Sequence, residues 1–187
     1  MKKLLCVIGP SGSGKSTYVN YVREKKGYGE IISTTTRLPR VGEVDGKDYH
    51  FVSDDEFLSI EMIQKDEYAG HYYGTAQKDL DDAFKKSDCA FMVVTYEGAM
   101  DFQQLFHRKH LDIQVITLFV YTPIDILKQR MIHRGDDIEK INERIVNIEK
   151  RKEYENMNKT DYVFHVNTSL SLEECCQEFL QLVESIA

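Results

Sequence analysis

The residues best suited to chemistry are Gly9-Pro10-Ser11-Gly12-Ser13-Gly14-Lys15-Ser16-Thr17. They fit Gly-x-x-x-x-Gly-Lys-Ser, the pattern of a phosphate-binding loop. Glycines at 9, 12 and 14 let the backbone wrap closely and turn its N–H groups inward on a polyphosphate. Lys15 brings a point charge to the outer phosphates, and Ser16 a hydroxyl for Mg²⁺. Gly9, Ser11, Gly12, Ser13, Gly14, Lys15, Ser16 and Thr17 are therefore the expected donor-phosphate set, with ATP and Mg²⁺ as the expected ligands. The bland alternative is a Gly/Ser-rich turn that fits the pattern by accident.

Such a loop needs a buried strand before it and a helix after it. The run Leu4–Ile8 reads as the strand, and Lys15 to about Lys26 as the helix. Four further apolar runs read as strands: 30–34, 89–95, 114–121 and 162–166. Helical spacing fills most of the gaps, which predicts an α/β fold with a five-stranded, mostly parallel sheet flanked by helices. Thr122-Pro123 predicts a helix start, with Thr122 as cap and a stop near Gly135. Ile138, Ile141, Ile145 and Ile148 form the apolar stripe of the next helix, and Ser171-x-x-Glu174 is a capping box opening the last one. Residues 35–75 break the alternation. They are rich in Tyr, Gly, Arg and acids, with strand signals near Tyr49–Phe51 and Tyr72-Tyr73, and predict a small insertion on the core.

Composition narrows the partners. With 187 residues, 42% hydrophobic and 29% charged, the chain suits one ordinary soluble α/β domain. A net charge of −7 disfavours a general nucleic-acid or anionic-membrane surface, so a polyanionic ligand must meet a local basic cluster. The N-terminal apolar run ends after five residues at Gly9-Pro10, too short for a membrane span or a signal peptide. Four cysteines without metal or redox spacing are expected to be reduced thiols in a cytoplasmic protein.

The stretch Ser33-Thr34-Thr35-Thr36-Arg37-Leu38-Pro39-Arg40-Val41-Gly42-Glu43, followed by Gly46-Lys47-Asp48-Tyr49-His50-Phe51, closely resembles the guanylate kinase family. That family carries Ser-x-Thr-Thr-Arg-x-Pro-Arg-x-Gly-Glu and then Gly-x-Asp-Tyr-x-Phe. With the phosphate loop, Tyr72-Tyr73-Gly74-Thr75 and Arg134-Gly135 before Arg144, the likeness runs in order along essentially the whole chain. The resemblance implies one domain in three parts: a core (1–34, 76–127 and 150–187), a GMP-binding insertion (about 35–75) and a lid (about 128–149). It implies Mg²⁺-dependent transfer of the ATP γ-phosphate to GMP or dGMP.

By that resemblance Arg37, Arg40, Tyr49 and Tyr73 hold the acceptor phosphate, for which guanidinium forks and phenol hydroxyls are suitable donors. Glu67, Ser33 and Thr75 match its guanine contacts, a carboxylate for N1–H and the amino group and hydroxyls for O6. Arg130, Arg134 and Arg144 match its lid arginines, which with Lys15 would stabilise charge on the migrating phosphoryl group.

Two departures stand out. Only Tyr68, Ala69, Gly70 and His71 separate Glu67 from Tyr72, fewer than the family usually has. Val93 and Thr95 stand where the family carries aspartates, leaving Glu97 as the nearest acid for the guanine side. These departures keep open a kinase for another monophosphate or small phosphorylated acceptor. An inactive guanylate-kinase-like binding module is a further alternative, disfavoured by the intact Lys15, Ser16, Arg134 and Arg144. Each singled-out residue also has a plain reading: a solvated Arg37/Arg40 pair, core tyrosines, a surface Glu67 or Glu97, and lid arginines paired with Asp136, Asp137 and Glu139.

Overall fold

The computed structural model describes residues 1–40, 42–68, 70–133 and 135–187. Its strands are β1 (Lys2–Ile8), β2 (Gly29–Glu30), β3 (Thr34–Thr35), β4 (His50–Phe51), β5 (Met62–Tyr68), β6 (His71–Ala76), β7 (Cys89–Val93), β8 (Ile113–Tyr121) and β9 (Tyr162–His165). The helices are α1 (Lys15–Lys26), α2 (Asp54–Ser59), α3 (Gln77–Lys86), α4 (Tyr96–Arg108), α5 (Ile124–His133), α6 (Ile138–Lys150) and α7 (Leu172–Ile186), with a 3₁₀ turn at Glu153–Asn158.

Five strands form one parallel sheet in the order β2-β7-β1-β8-β9. β1 is central and apolar on both sides, as a strand covered by helices on two faces must be. Leu5 and Val7 join one buried cluster with Tyr18, Val19 and Val22 of α1 and Phe179 and Val183 of α7. Leu4, Cys6 and Ile8 join the other, with Leu80 and Phe84 of α3 and Phe102 and Phe106 of α4. Phe179 is fully buried, stacked on Tyr18 at 5.3 Å and edge-on to Phe164 at 5.1 Å. Phe179→Ala should cost about 3–5 kcal/mol, the usual penalty for emptying a buried aromatic site. Urea unfolding checks this; a loss below about 1 kcal/mol would mean that the site collapses freely.

The second sheet, in the order β4-β3-β6-β5, is built from strands within residues 34–76. Here the sequence and the fold differ in detail. One strand was expected over 30–34, but β2 pairs with β7 and the chain then crosses into the second sheet, where β3 pairs with β4 and β6. The crossing is fixed by Ile31 N–H donating to Phe91 O and His50 N–H donating to Ser33 O. The strand expected over 89–95 stops at Val93, because the Thr95 hydroxyl accepts from Gly98 N–H at 3.1 Å and caps α4. The helix after Pro123 forms as expected, but the Thr122 hydroxyl points elsewhere: it donates to Ser13 O at 3.3 Å.

All four cysteines are buried and unbridged. Burial pushes the Cys6 thiol up to about 12 and Cys89 up to about 11. Among the described residues no helix is long and apolar enough to cross a membrane.

Candidate functional site

The loop between β1 and α1 is shaped by close approach. Gly9 has φ of 144°, and a Cβ there would sit 2.7 Å from Val120 O. Gly14 has φ of 95°, and a Cβ there would meet the Tyr18 ring at 2.8 Å. Only glycine combines such angles with such contacts. The Lys15 ammonium folds back on this loop, donating to Gly9 O at 2.7 Å and Pro10 O at 2.9 Å. Ser16 and Thr17 open α1 and are exposed to the same cleft as Gly9, Ser11, Gly12, Gly14 and Lys15. Ser13 lies behind them, fully buried. Its carbonyl receives both Thr122 and an Arg130 guanidinium N–H at 3.3 Å. Tyr154 in turn donates to Thr122 O at 2.6 Å. Arg130 thus braces the loop from α5 while itself lining the cleft.

Burial lowers the Lys15 pKa to about 8, opposed by the Glu153 carboxylate. Burial raises the Glu153 carboxyl above its ordinary range, with Lys15 and Arg151 opposing. A lysine with a lowered pKa is partly neutral above pH 8, and a polyphosphate on it would restore the proton. ATP binding at pH 8.5 should therefore take up about half a proton or more, and affinity should fall as pH rises through 8. Calorimetry in buffers of different ionisation heat checks it. Equal uptake by Lys15→Met would assign the proton elsewhere.

Across the cleft stands the second sheet, with Ser33, Arg40, Glu43 and Tyr49 among the lining residues of a cavity of about 1620 Å³. Arg37 is held by Glu43 as a fork, at 2.9 Å and 3.0 Å, and donates to Leu38 O at 2.7 Å. Its guanidinium also lies 5.3 Å from the Tyr49 ring centre and 5.6 Å from that of Phe51. Tyr49 meets Tyr73 edge-on at 6.1 Å. Glu43 accepts Arg40 N–H at 2.6 Å as well. Burial alone would raise the Glu43 carboxyl, but these donors bring it below its ordinary value. Arg37, Arg40, Tyr49 and Tyr73 are thereby gathered around one place.

At a third wall, Arg144 is paired with Asp136 at 2.7 Å, and both residues line the cleft. Arg134 lies outside the described residues. Val93, Thr95 and Glu97 line the remaining side, with Glu97 exposed in the first turn of α4. Glu67 is not brought together with the others. It is exposed on β5 opposite Tyr72, whose ring stacks on Phe57 at 5.4 Å. Thr75 is fully buried, and its hydroxyl has no hydrogen-bond partner among the described residues.

Sequence reasoning overlooked Glu43 as the holder of Arg37, although its place six residues on was the available signal. It also overlooked Glu153 beside Lys15. That residue opens an irregular 3₁₀ turn, which has no periodicity to betray it.

A phosphate loop that faces arginines and tyrosines across one cleft, on a parallel sheet of this order, defines the protein as a P-loop phosphotransferase of the nucleoside-monophosphate kinase class. The family model described as guanylate kinase matches residues 1–186. The chain is 33% identical to a guanylate kinase of Fusobacterium nucleatum, covering 97% of this chain and 96% of that one. It is 36% identical to a guanylate kinase of Helicobacter pylori, over 98% of this chain and 85% of that one. The solved structure of guanylate kinase from Anaplasma phagocytophilum superposes with a TM-score of 0.70 at 26% identity, covering 98% of this chain and 85% of that one. The chain belongs to the guanylate kinase family.

Proposed function

We propose that this protein transfers the γ-phosphoryl group of ATP to GMP or dGMP, with Mg²⁺, giving ADP and GDP or dGDP. The observation that carries the reading is a pair of anion sites facing each other: the Lys15 loop on one side of the cleft, and on the other Arg40 and Tyr49, with Arg37 and Tyr73 packed against Tyr49 behind the lining. An oxygen of the acceptor phosphate attacks the γ-phosphorus, and the bond from that phosphorus to the β–γ bridging oxygen breaks. No general base is needed, because the attacking phosphate is already ionised.

In this reading the glycine-rich backbone and Lys15 hold the donor phosphates, while Arg37, Arg40, Tyr49 and Tyr73 hold the acceptor. Arg130 fixes the loop's shape through Ser13 O. Arg144 and Arg134 reach the migrating group when residues 128–149 close as a lid and residues 35–75 close as the acceptor insertion. Closure would exclude water from the transfer. Arg144 would exchange Asp136 for phosphate oxygens.

The residues fit Mg²⁺. Among the described residues no three His, Cys, Asp or Glu side chains form a ready cage, and the cleft instead offers the Ser16 hydroxyl with Glu97 and Glu153 nearby. A hard cation of this kind rests on phosphate oxygens, one or two protein oxygens and water. When bound, it would neutralise charge on the β and γ oxygens. The site of action is proposed to be the cytoplasm, where nucleotides and reduced thiols coexist.

The deciding experiment is an ADP-release assay over a panel of monophosphates. Turnover with GMP above that with AMP, CMP and UMP is expected; a pyrimidine preferred over GMP would overturn the assignment. One observation keeps a second acceptor in view: Val93 and Thr95 line the cleft without a carboxylate.

A further inference from the structure

We propose that Gln64, together with the Thr75 hydroxyl, reads the base of the acceptor, and that this site takes 6-oxopurine monophosphates without requiring a 2-amino group. The inference rests on the phosphoryl-acceptor reading above.

Strand register carries the placement. Residues directly opposite in a sheet share a face, and so do alternate residues along a strand. Thr35 lies opposite Tyr73, Tyr73 opposite Asp66, and Thr75 opposite Gln64. Thr35 also pairs with Phe51, which puts Tyr49 on that same side. Ser33, Tyr49, Tyr73, Thr75 and Gln64 therefore share one face, and it is the face from which Ser33 and Tyr49 line the cleft. Glu67 belongs to the opposite face with Tyr72. The irregularity of β5 falls between Met62 and Gln64, so the pairing from Gln64 onward is continuous.

Thr75 supplies the second observation. Its side chain is fully buried and its hydroxyl is unpartnered among the described residues. A buried hydroxyl without a bond costs about 1–3 kcal/mol, so it calls for a ligand or another explanation. Thr75 sits two residues past Tyr73, roughly 7 Å along the strand. A ligand whose phosphate is held at Arg37, Tyr49 and Tyr73 carries its next groups along that face.

The chemistry of Gln64 then sets what is read. A carboxylate offers two acceptors and matches guanine's adjacent N1–H and 2-amino donors. An amide offers one acceptor and one donor. Its best match on a 6-oxopurine is N1–H donating to Oε1 while Nε2–H donates to O6, leaving the 2-amino group unread. On the facing wall Val93 and Thr95 are not carboxylates, and the acid there, Glu97, stands exposed in the first turn of α4. Hypoxanthine and guanine present the same N1–H and O6.

The test compares GMP with IMP as acceptors, by steady-state kinetics and by calorimetric binding without ATP. The wild-type kcat/KM values should agree within about tenfold. Gln64→Glu, a nearly isosteric change, should shift the ratio towards GMP by about tenfold or more, as expected when a donor-matched carboxylate replaces an amide. A wild-type preference for GMP above about a hundredfold, or a ratio unmoved by both Gln64→Glu and Gln64→Ala, would overturn the assignment of Gln64 while leaving the kinase reading intact. Failure of both monophosphates to bind or turn over would overturn the kinase reading itself.

Discussion

Lys15→Ala is expected to lower kcat by at least about a hundredfold, the scale seen when a preorganised electrostatic group is removed from a transition state. Phosphoryl transfer asks for little covalent help, so charge placement supplies most of what the protein contributes. Lys15 is the cation that the loop itself encloses, half-buried at the cleft and within 3 Å of two loop carbonyls. The fold should survive the change, since Lys15 starts α1 without belonging to either main core cluster. Stopped-time ADP assays with circular dichroism as a folding control test it; activity within tenfold of wild type would sink the loop assignment.

Arg37→Ala should raise the KM for the monophosphate by about ten- to a hundred-and-fiftyfold and leave the KM for ATP nearly unchanged. A charge-assisted fork is worth about 1.5–3 kcal/mol, which corresponds to that range. Glu43 makes the expectation sharper. It grips Arg37 from one edge and is itself anchored by Arg40 N–H, so the guanidinium is aimed before any ligand arrives. Glu43→Gln should therefore raise the same KM by a smaller factor, with kcat largely retained. In an Arg37→Ala background it should add almost nothing. Additive effects would mean that Glu43 acts independently of Arg37, and an unchanged KM in Arg37→Ala would place the acceptor phosphate elsewhere.

Much of the fold was legible because its signals are local. Continuous apolar runs marked β1, β7 and β8, and the capping box at Ser171 marked α7. The donor loop was equally readable, because backbone wrapping demands glycine at fixed spacings. The acceptor side was harder. Whether a residue on β5 faces the cleft depends on hairpin register, and a one-residue shift exchanges the two faces. Counting back from Tyr72-Tyr73 chose Glu67 for its carboxylate, whereas pairing sets Gln64 across from Thr75. The bracing of the loop by Thr122, Arg130 and Tyr154 joins residues over a hundred positions apart from Ser13, and no spacing rule announces it.

The four buried cysteines have a practical use. Thiols that burial keeps protonated react slowly with maleimides, so the native chain is close to silent toward such dyes. Leu38, 81% exposed on the acceptor side, and Ile138, 67% exposed at the start of α6, can then be exchanged for cysteines without stripping the native ones. A donor–acceptor dye pair at these two positions would report in real time whether residues 35–75 and 128–149 approach each other when nucleotides bind.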